Sequence, residues 1–315
     1  MADKIKPSDL AKNEQRRDLD LELLGRDYID ETVQAYQGSR FKVVMKRLLR
    51  RGTASFGLVI ILLLIFISIF GQSVAPYDHQ AYDYMNTLQA PSAEHWFGTD
   101  HYGRDIFSRI IVGSRLTLGV ALSSVVVGAA VGAVLGLLAG YYGGLLDSLI
   151  MRGADVLFSF PDILLTIAIV AILGPGIVNV WIAVMVFTVP SFARMLRSAT
   201  LVVKGSLYVE AAQSIGTTDN RLLFRHIMPG TMQTLIVNFT MRIGSAIMAA
   251  SSLSFLGFGA NVTDPEWGAM LSQGRSYMDI APHMVLFPGL AIFITVLAFN
   301  LLGDGLRDAL DPKIK

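Results

Sequence analysis

The 315-residue chain contains no cysteine, which excludes disulfides, thiolate nucleophiles and thiolate metal sites. It is also poor in charge. Asp, Glu, Lys and Arg make up 16% of the residues, against about a quarter in an ordinary soluble domain. The formal net charge of +1 gives no electrostatic reason to expect a nucleic-acid partner. Chemical motifs are missing as well. No G-x-x-x-x-G-K-[ST] phosphate loop, no H-E-x-x-H and no G-x-S-x-G occurs. His79, His95, His101, His226 and His283 show no metal-ligand spacing. With no catalytic constellation and no nucleotide or metal motif, the chain reads as a non-enzyme that binds no cofactor itself.

What is present is apolar sequence. Hydrophobic residues make up 53% of the chain and are clustered rather than spread, the mark of an integral membrane protein. A helix needs about 20 residues to cross the hydrocarbon core. Six stretches qualify: 52–74, 116–141, 156–173, 177–193, 232–256 and 284–302. The third and fourth are the shortest and are separated by the breaker Gly174-Pro175-Gly176. The expected fold is therefore an all-α membrane protein with about six transmembrane helices in a domain spanning 51–315. Residues 1–50 are polar, show no apolar signal core and end in the basic cluster Lys46, Arg47, Arg50 and Arg51. They read as a cytosolic N-terminal tail.

Positive charge orients the spans. With the N-terminus inside, the inner flanks hold Lys42, Lys46, Arg47, Arg50, Arg51 and Arg152. They also hold Arg194, Arg197, Lys204, Arg221, Arg225, Arg307, Lys313 and Lys315, fourteen in all. The outer segments hold four: Arg104, Arg109, Arg115 and Arg275. The chain is N-in and C-in by this rule, with external loops at 75–115 and 257–283 and a cytosolic loop at 194–231. In the first external loop, a turn at Gly98–Asp100 and Gly103 precedes a short amphipathic helix expected from Asp105. Trp96 and Phe97 would anchor it at the membrane interface, where Trp267 and Tyr277 are also expected.

Within the second span, Gly128, Gly132, Gly136 and Gly140 recur every fourth residue, so they share one helix face. Such a face lets a second helix approach closely in lipid, and packing within the subunit is the expected use. No carboxylate lies near the middle of a span, whereas coupling-ion sites of secondary carriers are usually ionisable groups at that depth. Arg242 alone sits well inside a span and is a candidate for the translocation path.

The polar insert SLYVEAAQSIGTTDNRLLFRHIMPG (206–230) interrupts this pattern. A helix is expected up to Gly216, a natural residue after a helix end. Thr217, Thr218 and Asp219 offer caps for a second helix through Ile227, stopped before Pro229. Leu207, Ala211, Ile215, Leu222 and Leu223 would form an apolar docking patch rimmed by charge.

Glu210-Ala211-Ala212, Gly216 and the closing His226-Ile227-Met228-Pro229 resemble the EAA loop of ABC importer permeases. HWFGTDHYGRDIFSR (95–109), GLLAGYYGG (136–144), SLSFLGFGA (252–260), PEWGAML (265–271) and LLGDGLRDALDP (301–312) resemble the C-type permease subunit of dipeptide, oligopeptide and nickel importers. The dipeptide and glutathione permeases are the nearest in flavour, and the resemblance runs from about residue 40 to the end. It implies a MetI-like permease fold in the bacterial inner membrane and a heterodimer with a second, homologous permease subunit. It further implies two cytosolic ATPase subunits, which carry ATP and magnesium, and an extracytoplasmic substrate-binding protein. Glu210, Ala211, Ala212, Gly216, His226 and Pro229 would then couple this chain to an ATPase. Di- and oligopeptides are the expected cargo, with glutathione or nickel as alternatives. An ion-coupled secondary transporter is the alternative of a different class.

Overall fold

A computed structural model describes residues 40–310 apart from Val262. The expectations for residues 1–39 and for Lys313 and Lys315 lie outside the described residues. The chain divides into two units, Met1–Arg50 and Arg51–Lys315. In the first, Arg40–Arg50 forms α1. All that follows concerns the second.

Its described residues are helical or irregular, with one isolated bridge between Thr99 and Asp105. Five helices are long and apolar enough to cross a membrane. They are α2 (Gly52–Val74), α3 (Ile106–Tyr142), α6 (Ile177–Lys204), the rod Asp219–Phe255 and α11 (His283–Leu310). The third expected span is not one helix. α4 (Gly144–Phe158) and α5 (Asp162–Leu173) meet at an angle of 91°. Pro161 disfavours the helical region for Phe160 and itself takes φ −57° and ψ 136°. At 1.5 Å per residue, α5 is only about 18 Å long, so it enters the hydrocarbon without crossing it alone.

The second span starts earlier than hydropathy indicates. The amphipathic segment after Asp105 is the first part of α3 itself, not a separate interfacial helix. Asp105 caps it, accepting bonds from the Ser108 N–H (2.8 Å) and hydroxyl (2.7 Å). α3 packs most extensively on α6. A Cβ added at Gly128, Gly132, Gly136 or Gly140 would lie 2.7, 2.7, 2.8 or 2.8 Å from the Cβ of Thr188, Phe192, Leu196 or Thr200. Both helices advance by four residues per contact, so they run parallel and in register, with backbones as close as missing side chains permit.

The external loops are tied to the bundle by buried polar groups. Arg104 and Arg109 are both 1% exposed and both face Asp100, at 2.7 Å and 3.8 Å. Arg104 also donates to Gln273 at 3.0 Å. Two of the four external arginines are thus internal struts. Trp267 is not interfacial either. It is 1% exposed in the core, and its indole N–H donates to the Ile110 carbonyl at 3.0 Å. Glu266 caps α10 (Trp267–Gly274) by accepting from the Gly268 and Ala269 N–H groups at 3.0 and 2.8 Å. Burial pushes its carboxyl up, and these two bonds pull it back.

The glycine seam predicts a contrast. Gly136→Ala should destabilise the purified subunit by about 1–3 kcal/mol, the usual cost of overpacking. Gly119→Ala, on the same helix with nothing near the added carbon, should be neutral or stabilising. Thermal unfolding in detergent reads both.

Candidate functional site

The polar insert begins where α6 ends at Lys204 and the chain turns at Gly205. Helix α7 (Leu207–Ser214) follows. Its Val209 and Ala212 are buried with Leu137 and Tyr141 of α3 and with Leu222, Leu223 and Ile227. The insert therefore has a small core of its own, seated on the end of α3. α7 ends in a Schellman turn. Gly216 donates to the Gln213 carbonyl (3.0 Å) and Thr217 to the Ala212 carbonyl (3.2 Å), with Gly216 at φ +79°. The space around Gly216 is open, so only backbone conformation restricts the residue there.

The second half differs from expectation. Asp219–Arg221 (α8), a π-helical turn at Leu222–Ile227 and α9 (Met228–Phe255) form a single rod, and Pro229 does not stop it. The Met228 N–H bonds to the Leu223 carbonyl, five residues back. This wider turn sits where proline lacks a donor and its ring crowds the preceding turn, so the helix passes through. Leu222 and Leu223 are 1% and 3% exposed, hence core rather than docking surface. Leu207 and Ile215 stay 84% and 83% exposed, and Ala211 lies between them at i, i+4, i+8 spacing. The apolar stripe of α7 is thus real but narrower than the sequence indicates.

Three bonds hold the insert. The Tyr141 hydroxyl donates to Asp219 (2.6 Å), the Lys204 ammonium to the Tyr141 carbonyl (2.6 Å), and the Tyr208 hydroxyl to the His226 carbonyl (3.3 Å). Glu210 and Ala211 are exposed, Ala212 is buried, Gly216 is at the turn, His226 is half-buried and Pro229 is exposed. These six residues share one compact element. The glycine seam runs along α3 and meets this element only at its last residue, Gly140, beside Tyr141. Arg242 lies apart, thirteen residues beyond Pro229 and so about 20 Å along the rod.

Arg242 donates to the Phe187 carbonyl at 3.3 Å and lies 4.3 Å above the Phe187 ring. It borders a cavity of 180 Å³ with Ser191, Met195, Asn238 and Ser245. Asn238 and Ser245 were not legible as site residues from hydropathy. Their spacing with Thr234 and Arg242, a polar residue every three or four positions from 234 to 245, is the signal that marks them.

Residues 132–315 match the model of the binding-protein-dependent transport system inner membrane component. The chain belongs to this family. Residues 39–91 match the N-terminal TM domain of oligopeptide transport permease C. The glutathione transport system permease protein GsiD of Escherichia coli O6:K15:H31 is 57% identical over 271 residues, which cover 86% of this chain and 89% of that protein. The protein of the same name from Shigella boydii serotype 4 matches to the same extent. An inward-facing structure of the MetNI methionine ABC transporter aligns with TM-score 0.52 and 20% identity, covering 65% of this chain and 98% of that one. This likeness shows the MetI-like fold. The chain is a multi-pass inner-membrane permease subunit of an ABC importer, non-catalytic itself and working with ATPase partners.

The anchoring of the insert in this permease is testable. Tyr141→Phe removes the bond to Asp219 and should cost about 1 kcal/mol locally, hastening amide exchange in residues 207–227 about fivefold. Tyr142→Phe, on an exposed neighbour, should leave exchange unchanged.

Proposed function

We propose that this permease forms half of the translocation path of an importer for glutathione. The observation that carries the reading is 57% identity, over 86% of the chain, to permeases named for glutathione transport. Short oligopeptides are the second reading, favoured by the match of residues 39–91 to oligopeptide transport permease C. The path is completed by a second, homologous permease subunit, and an extracytoplasmic binding protein delivers the cargo to it.

Coupling to ATP runs through the insert. Leu207, Ala211 and Ile215 give α7 an apolar stripe that nothing among the described residues covers, and Glu210 stands beside it. One of two cytosolic ATPases seats this helix in a groove of its own. The insert core holds α7 against Leu137 and Tyr141 of α3, so movement of the ATPase is passed into the bundle. Gly216 keeps the turn in a left-handed conformation, and Arg242 faces the cargo path.

The test is reconstitution of the complete transporter in vesicles. ATP-dependent uptake of labelled glutathione is expected, with competition by dipeptides weaker and by Ni²⁺ absent. Uptake driven by an ion gradient without ATP would contradict the reading. Glu210→Ala should lower cargo-stimulated ATP hydrolysis at least about fivefold, the loss of a contact of about 1 kcal/mol. Gly216→Ala should also lower it, because the left-handed conformation costs about 1–2 kcal/mol with a Cβ present. Gly216→Asn should retain more activity.

A further inference from the structure

Several helices of this permease leave a long face uncovered, and the faces of α2 and α9 differ in kind. On α2 the uncovered residues are apolar, among them Leu62, Ile65, Phe66, Ile69 and Phe70. On α9 they include Gln233, Thr234, Asn238 and Ser245 together with the apolar Ile236 and Met248, and the half-buried Arg242 and Ser252 extend the stripe. The opposite side of α9, from Val237 through Ile247 to Leu253, is packed in the core. Asn238 returns its amide to the Thr234 carbonyl and Arg242 donates to the Phe187 carbonyl. A stripe that keeps a guanidinium and an amide at this depth is still costly against lipid. From Thr234 to Ser252 it spans 19 residues, about 27 Å of helix, close to the thickness of the hydrocarbon core.

Three cavities open along this face in sequence. The first, 320 Å³, is lined by Gln233, Asn238 and Arg307. The second is the 180 Å³ cavity at Arg242, and the third, 340 Å³, is mostly apolar, with Phe255, Leu271 and Ile292 beside Ser252 and Arg275. Each has one guanidinium in its lining and no carboxylate. Neither Arg242, Arg275 nor Arg307 forms an ion pair among the described residues. Asp162, whose charge reaches Arg242, stays outside ion-pair distance. Elsewhere in the unit, Arg197 pairs with Asp147, Arg194 with Asp155 and Arg104 with Asp100. Among the described residues Arg115, Arg152, Arg221 and Arg225 are also without an ion pair, so what sets the three arginines of the α9 face apart is that each lines one of these cavities.

We infer that the α9 face is a water-filled, cation-lined half-path that selects solutes of net negative charge, with Arg275, Arg242 and Arg307 receiving carboxylates in turn. The inference rests on reading this chain as half of a translocation path and adds the class of cargo. Cavities walled by low-dielectric protein concentrate the field of an unpaired charge, so anions are enriched and cations depleted. Three separate sites of moderate attraction also let a solute leave each one for the next, as a single deep site would not.

Because the chain has no cysteine, single cysteines can be introduced in the assembled transporter, with labelling of the other subunits subtracted. Ser245→Cys is treated with an anionic sulfonatoethyl and a cationic trimethylammonioethyl methanethiosulfonate, and their rates are divided by those for a free thiol. The anionic reagent should be favoured at least about tenfold, and Arg242→Gln should bring the ratio to within about twofold of the free thiol. Ser252→Cys with Arg275→Gln repeats the measurement at the outer end, on an exposed arginine whose loss does not threaten the fold. No labelling by either reagent, or a ratio unmoved by both arginine substitutions, overturns the inference. Glutathione uptake by the same vesicles separates the two readings. Anion preference without uptake supports the cation-lined path and refutes the cargo. Uptake without anion preference supports the cargo and refutes the cation-lined path.

Discussion

The hydrocarbon interior offers no hydrogen bonds, so each polar group of this permease is bonded internally, covered by protein or in contact with water. The architecture of Arg51–Lys315 follows from that constraint. The five long spans are continuous helices. The break at Ser159–Phe160–Pro161 lies between α4 and α5, outside the five long helices. Thr166, Thr188 and Thr295 return their hydroxyls to carbonyls of their own helices. On the outer face of α9, Asn238 likewise returns its amide to the Thr234 carbonyl, and Asn238, Arg242 and Ser245 border a concave surface rather than a flat one.

Lipid gives no hydrophobic drive for helices to associate, so close packing has to supply it. The glycine seam of α3 does so along four contacts with α6. Its last contact, at Gly140, adjoins Tyr141, whose ring belongs to the core of the cytosolic insert and whose hydroxyl holds Asp219. The insert itself leaves from the end of α6. The most extensively packed helix pair is thus also the base of the element for which ATPase docking is proposed, which would suit a part that transmits motion rather than absorbing it.

Much of this was legible in the chain. α2, α6 and α11 follow hydropathy because long apolar runs have no other stable use. The i, i+4 glycines announce a close crossing, although only the fold supplies Thr188, Phe192, Leu196 and Thr200 as partners. The illegible parts are those where tertiary context overrides a local rule. Pro229 reads as a stop, yet a π turn carries the helix past it. Trp267 reads as an interfacial anchor, yet its N–H finds a carbonyl in the core. Arg104 and Arg109 read as external charges, yet Asp100 draws them inside. Hydropathy averages over all faces of a helix, so it saw Arg242 and overlooked the polar stripe to which Arg242 belongs.

The central claim is that α9 shows water the face that α2 shows lipid. Spin labels placed one at a time at positions 234, 238, 245, 248 and 252, and at 62, 66 and 70, in the reconstituted transporter test this most directly. Collision with a water-soluble nickel chelate should dominate at every α9 position and collision with oxygen at every α2 position. Oxygen-dominated relaxation along α9, matching α2, would contradict the account.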